Sequence, residues 1–142
     1  MKIKILLVDD ERDFIDALAK RLTLRDFDVT AVYSGEEALD VFGKRIFDIV
    51  LLDVKLPGMS GIDVLKQMKA AHPLVQVLML TGHATVENAI KGMKCGAYDY
   101  LMKPVEIKAL EAKLSVAYAV RAEQIERIRK AEVESLITRR GW

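Results

Sequence analysis

At 142 residues the chain is long enough for one domain with its own core plus a modest extension. A composition 51% hydrophobic and 30% charged, with a net charge of +1, is that of a soluble globular protein and provides no overall field for nucleic acid or a membrane surface. The single Cys95 excludes an internal disulfide framework, no apolar run approaches the ~20 residues that span a bilayer, and Met1–Val8 meets Asp9-Asp10 too soon for a signal peptide, so the expected address is cytoplasmic.

In chain order, short apolar runs alternate with segments of helical period. The runs are Ile3–Val8, Val29–Tyr33, Ile49–Asp53, Val75–Leu80 and Ala97–Leu101. A near-continuous run such as Ile49-Val50-Leu51-Leu52 suits a strand covered on both faces, as in a parallel sheet. Between the runs lie stripes at helical spacing: Phe14, Leu18 and Leu22; Ala38, Val41 and Phe42; Ile62, Leu65 and Met68; Val86, Ala89, Ile90 and Met93. Breakers separate the elements at Ser34-Gly35, Pro57-Gly58 with Gly61, His72-Pro73, Gly82 and Gly96. Five such units predict an α/β doubly wound, five-stranded parallel sheet, and the flavodoxin-like order 2-1-3-4-5 is its compact solution.

From about Glu106 no Gly or Pro interrupts the helical pattern until Gly141, which predicts one helix of up to ~35 residues. Ile107, Leu110, Leu114 and Ala117 can face the sheet, so residues 1–120 form the domain and 121–142 a helical extension or linker. Glu123–Arg127 and Glu126–Lys130 are spaced as i,i+4 pairs. Ile125, Ile128, Val133, Leu136 and Ile137 would be exposed on a lone helix. The extension is thus either a solvated tail or a helix that pairs with a second copy, and its heptad is irregular. Trp142 belongs either to a loose terminus or to that contact.

Asp9, Asp10, Asp53, Thr81 and Lys103 stand just past the ends of four of the runs. Carboxyl ends of parallel strands share one edge, where ligands bind. Three carboxylates, a hydroxyl and an ammonium gathered there suit a hard cation and a phosphoryl group. Mg²⁺ prefers oxygen ligands and typically uses one or two carboxylates plus a phosphate; Asp10 and Asp53, on adjacent strands, can supply them. Asp10 can equally cap the following helix, and Asp53 can serve the turn at Pro57-Gly58. A carboxylate such as Asp53 is also a recognised phosphoryl acceptor. Pro104 makes the Lys103–Pro104 bond a candidate for the cis form, in a turn that would point Lys103 into the acidic cluster as a point charge. His72 reads as a helix-ending surface residue, His83 as a residue of the loop after the fourth strand that can tune it, Cys95 as a small buried hydrophobe, and the methionines as core filler.

Four stretches form an ordered set: Leu6-Leu7-Val8-Asp9-Asp10-Glu11, Val50-Leu51-Leu52-Asp53 with Pro57-Gly58-Met59-Ser60-Gly61, Leu80-Thr81-Gly82, and Gly96-Ala97-Tyr98-Asp99-Tyr100-Leu101-Met102-Lys103-Pro104. Through them the chain resembles a response-regulator receiver domain of two-component signalling over about residues 1–120. The resemblance implies that Asp53 accepts a phosphoryl group from a sensor histidine kinase or phosphotransfer protein. It implies that Asp10, Asp53 and the backbone carbonyl of Lys55 hold Mg²⁺, for which Mn²⁺ can substitute, with Asp9 acting through a water. Lys103 would pair with the phosphoryl oxygens, Thr81 would move toward them, and Tyr100 would be the switch aromatic. The fourth helix, fifth strand and fifth helix would form the readout face, and the only catalysis would be the chain's own phosphoryl transfer and autodephosphorylation. Gly96–Pro104 and the long last helix resemble receivers of enhancer-binding activators, where such a helix dimerises the receivers. The output is then either stand-alone protein contact or a C-terminal transcription-activator domain, without direct nucleic-acid or membrane contact by this chain.

Two other functions compete. A haloacid-dehalogenase-type phosphatase also combines a strand-end Asp, Mg²⁺ and a Lys, but it wants Asp-x-Asp after its nucleophile strand and a cap insertion; here the two acids are adjacent. A dimerisation or adaptor module could retain the receiver fold for its surface without phosphorylation.

Overall fold

The computed structural model describes residues 2–82 and 86–140; His83, Trp142 and the side chain of Val86 lie outside them. In chain order the elements are β1 (Lys4–Val8), α1 (Arg12–Leu24), β2 (Asp28–Val32), α2 (Gly35–Lys44), β3 (Ile49–Asp53), α3 (Gly61–Ala71), β4 (Gln76–Thr81), α4 (Val86–Lys94), β5 (Asp99–Met102) and α5 (Ile107–Arg140). The strands form one parallel sheet in the order β2-β1-β3-β4-β5. The flavodoxin-like order expected from the alternating pattern is the one adopted. Strand ends move by one or two residues: β4 extends through Thr81, and β5 starts at Asp99 rather than Ala97.

Alternation along the strands builds two cores. Leu6, Val8, Val50, Leu52, Val77 and Met79 face α2 and α3, meeting Phe42, Val64, Leu65 and Met68. Ile5, Leu7, Ile49, Leu51, Leu78 and Leu80 face α1 and α5, meeting Ile15, Leu18, Leu22, Leu110, Leu114 and Ala117. Each fully buried aliphatic side chain contributes roughly 1.5–3 kcal/mol of hydrophobic stabilisation, so β1, β3 and β4 form a stiff floor beneath their carboxyl ends. Ser34 and Ser60 cap α2 and α3 by accepting hydrogen bonds from the Glu37 and Asp63 N–H groups.

Two helical stripes turn out differently from expectation. On α1, Ile15 joins Leu18 and Leu22 inside while Phe14 is half-buried. On α4, Ile90 and Met93 are 48% and 44% exposed. The smallest residue of that helix faces inward instead: a Cβ on Gly92 would stand 3.4 Å from Met79 Cγ and 3.7 Å from Ile62 Cδ1. Gly92 is buried there, and Ile90 and Met93 lie on the outer side. Met68 and Met79 fill the core as expected, but Met93 and Met102 are exposed. Cys95 is only half-buried, packed on the edge of the α3-side core. His72 is the C-cap of α3, with its ring edge-on to Phe42 at 5.0 Å.

α5 is a single helix of 34 residues. Ile107, Leu110, Leu114 and Ala117 are buried, as their spacing predicts. One turn later Arg121 Nη1 donates to Asp48 Oδ1 at 3.1 Å, and Gln76 Nε2 lies 3.4 Å from Gln124 Oε1. Asp48 and Gln76 stand at the amino ends of β3 and β4, so α5 crosses the sheet from its carboxyl edge and leaves at the amino edge. Beyond residue 125 the helix is exposed throughout. Glu123 pairs with Arg127 as expected, whereas Glu126 meets Arg129, at 4.0 Å. Among the described residues no helix is long and apolar enough to cross a membrane.

Candidate functional site

β1 and β3 end side by side, with Val8 opposite Leu52, which delivers Asp9, Asp10 and Asp53 to one edge. Each of the three offers a carboxylate oxygen, and these oxygens lie within 4.8 Å of one another. Asp9 and Asp53 are buried and Asp10 is exposed. Asp9 Oδ1 accepts from the Glu11 N–H at 2.9 Å, and Asp53 Oδ1 accepts from the Lys55 N–H at 3.2 Å. Asp10 does not cap α1; its N-cap residue is Glu11.

The end of β3 is crowded by the start of α3. A Cβ on Gly61 would stand 2.2 Å from the Asp53 carbonyl oxygen and 2.9 Å from Val54 backbone atoms. Only glycine allows α3 to begin so close, and the Gly61 N–H closes the turn onto the Val54 carbonyl at 3.0 Å. Asp53 is thereby fixed on a rigid strand beneath a helix start.

β4 and β5 bring the other two groups. Thr81 is buried, and its carbonyl accepts from the Lys103 N–H at 2.9 Å, which ties the ends of these strands together. The Lys103–Pro104 peptide is cis. Lys103 Nζ lies 2.6 Å from Asp9 Oδ2, 2.9 Å from Glu11 Oε1 and 3.5 Å from Asp53 Oδ2, and it also sits 4.7 Å above the Phe14 ring. Glu11 and Phe14, from the start of α1, are members of this cluster that the strand-end pattern did not single out. An acid directly after the Asp pair was the only sign of the first, and Phe14 had been assigned to the core.

The electrostatics show a site short of positive charge. Burial raises the Asp53 carboxyl to about 6, and the Asp9 charge pushes the same way; Lys103 and the Lys55 N–H oppose them. Burial disfavours the Lys103 ammonium, but hydrogen bonds to Asp9 and Glu11 and the charges of Asp53 and Asp9 outweigh it and hold its pKa above that of an ordinary lysine. Asp9 Oδ2 is buried, and the Lys103 ammonium 2.6 Å away is its close cationic neighbour. Three carboxylate oxygens within 4.8 Å of one another, one of them on a carboxyl that resists ionising, fit a hard, oxygen-seeking cation.

Tyr100 is 41% exposed and, with Ala89, Ile90, Met93 and Lys94, lines a surface cleft of about 420 Å³. Tyr98 instead packs against the α1/α5-side core.

Comparison with known proteins agrees with this arrangement. Transcriptional regulatory protein ZraR of Salmonella typhimurium strain LT2 is 39% identical over 118 residues, covering 83% of this chain and 27% of that protein. Response regulator protein FleR of Pseudomonas aeruginosa is 40% identical over 110 residues, covering 78% and 23%. The chain therefore spans about a quarter of the length of these relatives. Among solved structures, NtrX from Brucella abortus in complex with ATP aligns at a TM-score of 0.84 with 30% identity, over 89% of this chain and 29% of that one. A CheY-like receiver domain protein from Methanospirillum hungatei JF-1 aligns at 0.84 with 28% identity, over 87% and 99%. The phosphatase alternative falls with these matches. The family described as "response regulator receiver domain" matches residues 5–115, from inside β1 to inside α5, and the chain belongs to that family.

Proposed function

We propose that the chain is a phosphorylation-controlled switch of a two-component system. Asp53 accepts a phosphoryl group from a sensor histidine kinase or phosphotransfer protein, and the α4–β5–α5 face passes the change to a partner. The observation that carries this reading is the Lys103 ammonium held beside Asp9 and Asp53, with three carboxylate oxygens within 4.8 Å of one another. Asp10, Asp53 and the Lys55 backbone carbonyl would hold Mg²⁺ or Mn²⁺, with Asp9 acting through a water. The ion, when bound, neutralises charge on the phosphoryl oxygens.

The chain's own residues position and neutralise. An Asp53 carboxylate oxygen attacks phosphorus in line. The P–N bond of the donor phosphohistidine breaks, its electron pair returns to the imidazole, and an acyl phosphate remains on Asp53. Rigid strand ends hold the nucleophile in place, and Lys103 balances the phosphoryl oxygens. The Thr81 hydroxyl donates to one of them and draws the end of β4 with it, and Tyr100 turns inward from its exposed position. A few kcal/mol of preference is enough to shift such a two-state population.

Residues 1–120 are the receiver and 121–142 the extension, through which two copies pair. Its apolar residues Ile128, Val133, Leu136 and Ile137, all exposed on the isolated helix, support that pairing. The likeness to ZraR, a transcriptional regulatory protein, supports an output in transcription, delivered by a further domain or by contact with a separate cytoplasmic protein.

The test is the intact-protein mass after incubation with acetyl phosphate and Mg²⁺, for the parent and Asp53→Asn. The expected result is the gain of one phosphoryl group by the parent alone. Labelling of Asp53→Asn to the same extent overturns the choice of acceptor. A parent labelled neither by acetyl phosphate nor by phosphorylated kinase would act as an adaptor independent of phosphorylation.

A further inference from the structure

Lys103 has one partner more than the transfer needs. Of its three carboxylates, Asp53, which would carry the phosphoryl group, is the farthest at 3.5 Å; Asp9 is at 2.6 Å and Glu11 at 2.9 Å. Glu11 is unlike the other two, since its side chain is 63% exposed. It occupies the N-cap of α1, yet its carboxylate makes no capping hydrogen bond, although free N–H groups at a helix start are usual partners for an acidic side chain there. The carboxylate reaches across to Lys103 instead. Phe14 lies under the same ammonium, so the first turn of α1 holds Lys103 from the solvent side.

We propose that Glu11 is a latch on Lys103: it shares the ammonium with Asp9 in the resting protein and must release it as the phosphoryl group arrives on Asp53. The proposal rests on the reading of Asp53 as phosphoacceptor. An ammonium has three donors, and here three carboxylates stand within 3.5 Å of it. New oxyanions on Asp53 need a share of that charge, so one older contact must lengthen. Asp9 is buried and makes the shorter contact, 2.6 Å against 2.9 Å for Glu11. Glu11 rehydrates at little cost, as exposed ion-pair partners do. Glu11 is therefore the contact that yields. Because it stabilises the resting arrangement more than the one in which charge gathers on phosphorus, it slows acceptance. Glu11 is a positioning residue, acting on the phosphoryl group only through Lys103.

The test compares rates of phosphoryl gain by intact mass, with acetyl phosphate and Mg²⁺, for the parent, Glu11→Gln and Glu11→Asp. Gln removes the charge. Asp keeps the charge and the ability to cap α1 but withdraws the oxygens by one methylene. Both variants are expected to accept phosphoryl faster than the parent, by roughly two- to fivefold, the scale of an exposed ion pair. A fast Gln variant with an Asp variant at the parent rate would mean general charge or helix capping, and would overturn the latch. Equal rates for all three chains would overturn it while leaving Asp53 as acceptor, because the parent is labelled. A parent that gains no phosphoryl group from acetyl phosphate or from phosphorylated kinase overturns both readings.

Discussion

Asp53 is a carboxylate that its surroundings make reluctant to ionise. In the folded chain it keeps its proton up to about pH 6, against an ordinary 3.8. Between those values the folded state binds more protons than the unfolded one, so stability falls as pH rises through the window and stays lower above it. Asp53→Asn, which has nothing to ionise, removes that penalty. In metal-free buffer at pH 7.5 the variant is expected to be more stable than the parent by on the order of 1–3 kcal/mol, and near pH 4 the two should converge. Thermal midpoints across pH decide it; a variant melting below the parent at pH 7.5 contradicts the charge-starved site. Much of this cluster was legible because strand-end residues need only the chain order to be placed on one edge. Glu11 and Phe14 were not legible as partners of Lys103. Their role depends on how the first turn of α1 is rotated against β5, and no local pattern fixes that rotation.

At the scale of elements, the buried strands were the most readable, since a parallel strand covered on both faces is an uninterrupted apolar run. α4 was the least readable. Its apolar stripe of Val86, Ala89, Ile90 and Met93 suggests the inward face, but Gly92 is buried while Ile90 and Met93 are exposed. A glycine counts as a breaker in a sequence pattern and as a close-packing surface in a fold. α5 was legible in length and in its buried residues, but not in its fastening. Arg121 and Asp48 form an ion pair with both side chains under 20% exposed, and Asp48 Oδ2 also accepts the Lys4 N–H at 2.8 Å. Arg121→Ala leaves that carboxylate with a single donor. The expected cost is about 1–3 kcal/mol in urea unfolding, together with faster amide exchange over residues 121–140. Unchanged exchange there would mean that Leu114 and Ala117 alone set the helix.

At the scale of the whole molecule, the proposed phosphoryl chemistry and the proposed self-association are separable by position. The carboxyl edge of the sheet holds the acids, while Ile128, Val133, Leu136 and Ile137, exposed on α5, lie beyond the amino edge. Truncation after Val120 removes the latter without touching the former. The shortened chain is expected to accept phosphoryl groups at the parent rate and to sediment as a monomer at concentrations where the parent associates. Identical sedimentation of the two chains would assign association to the α4–β5 face, where Ile90, Met93, Tyr100 and Met102 are exposed.

The fastening of α5 also makes the extension a lever arm. From Arg121 to Arg140 a helix rising 1.5 Å per residue projects about 30 Å past its pivot at Asp48 and Gln76. A swing of about 10° at that pivot would carry the tip about 5 Å sideways, roughly half the width of a helix. A rotation too small to notice at the sheet is thereby amplified into a sideways displacement at the far end of the helix.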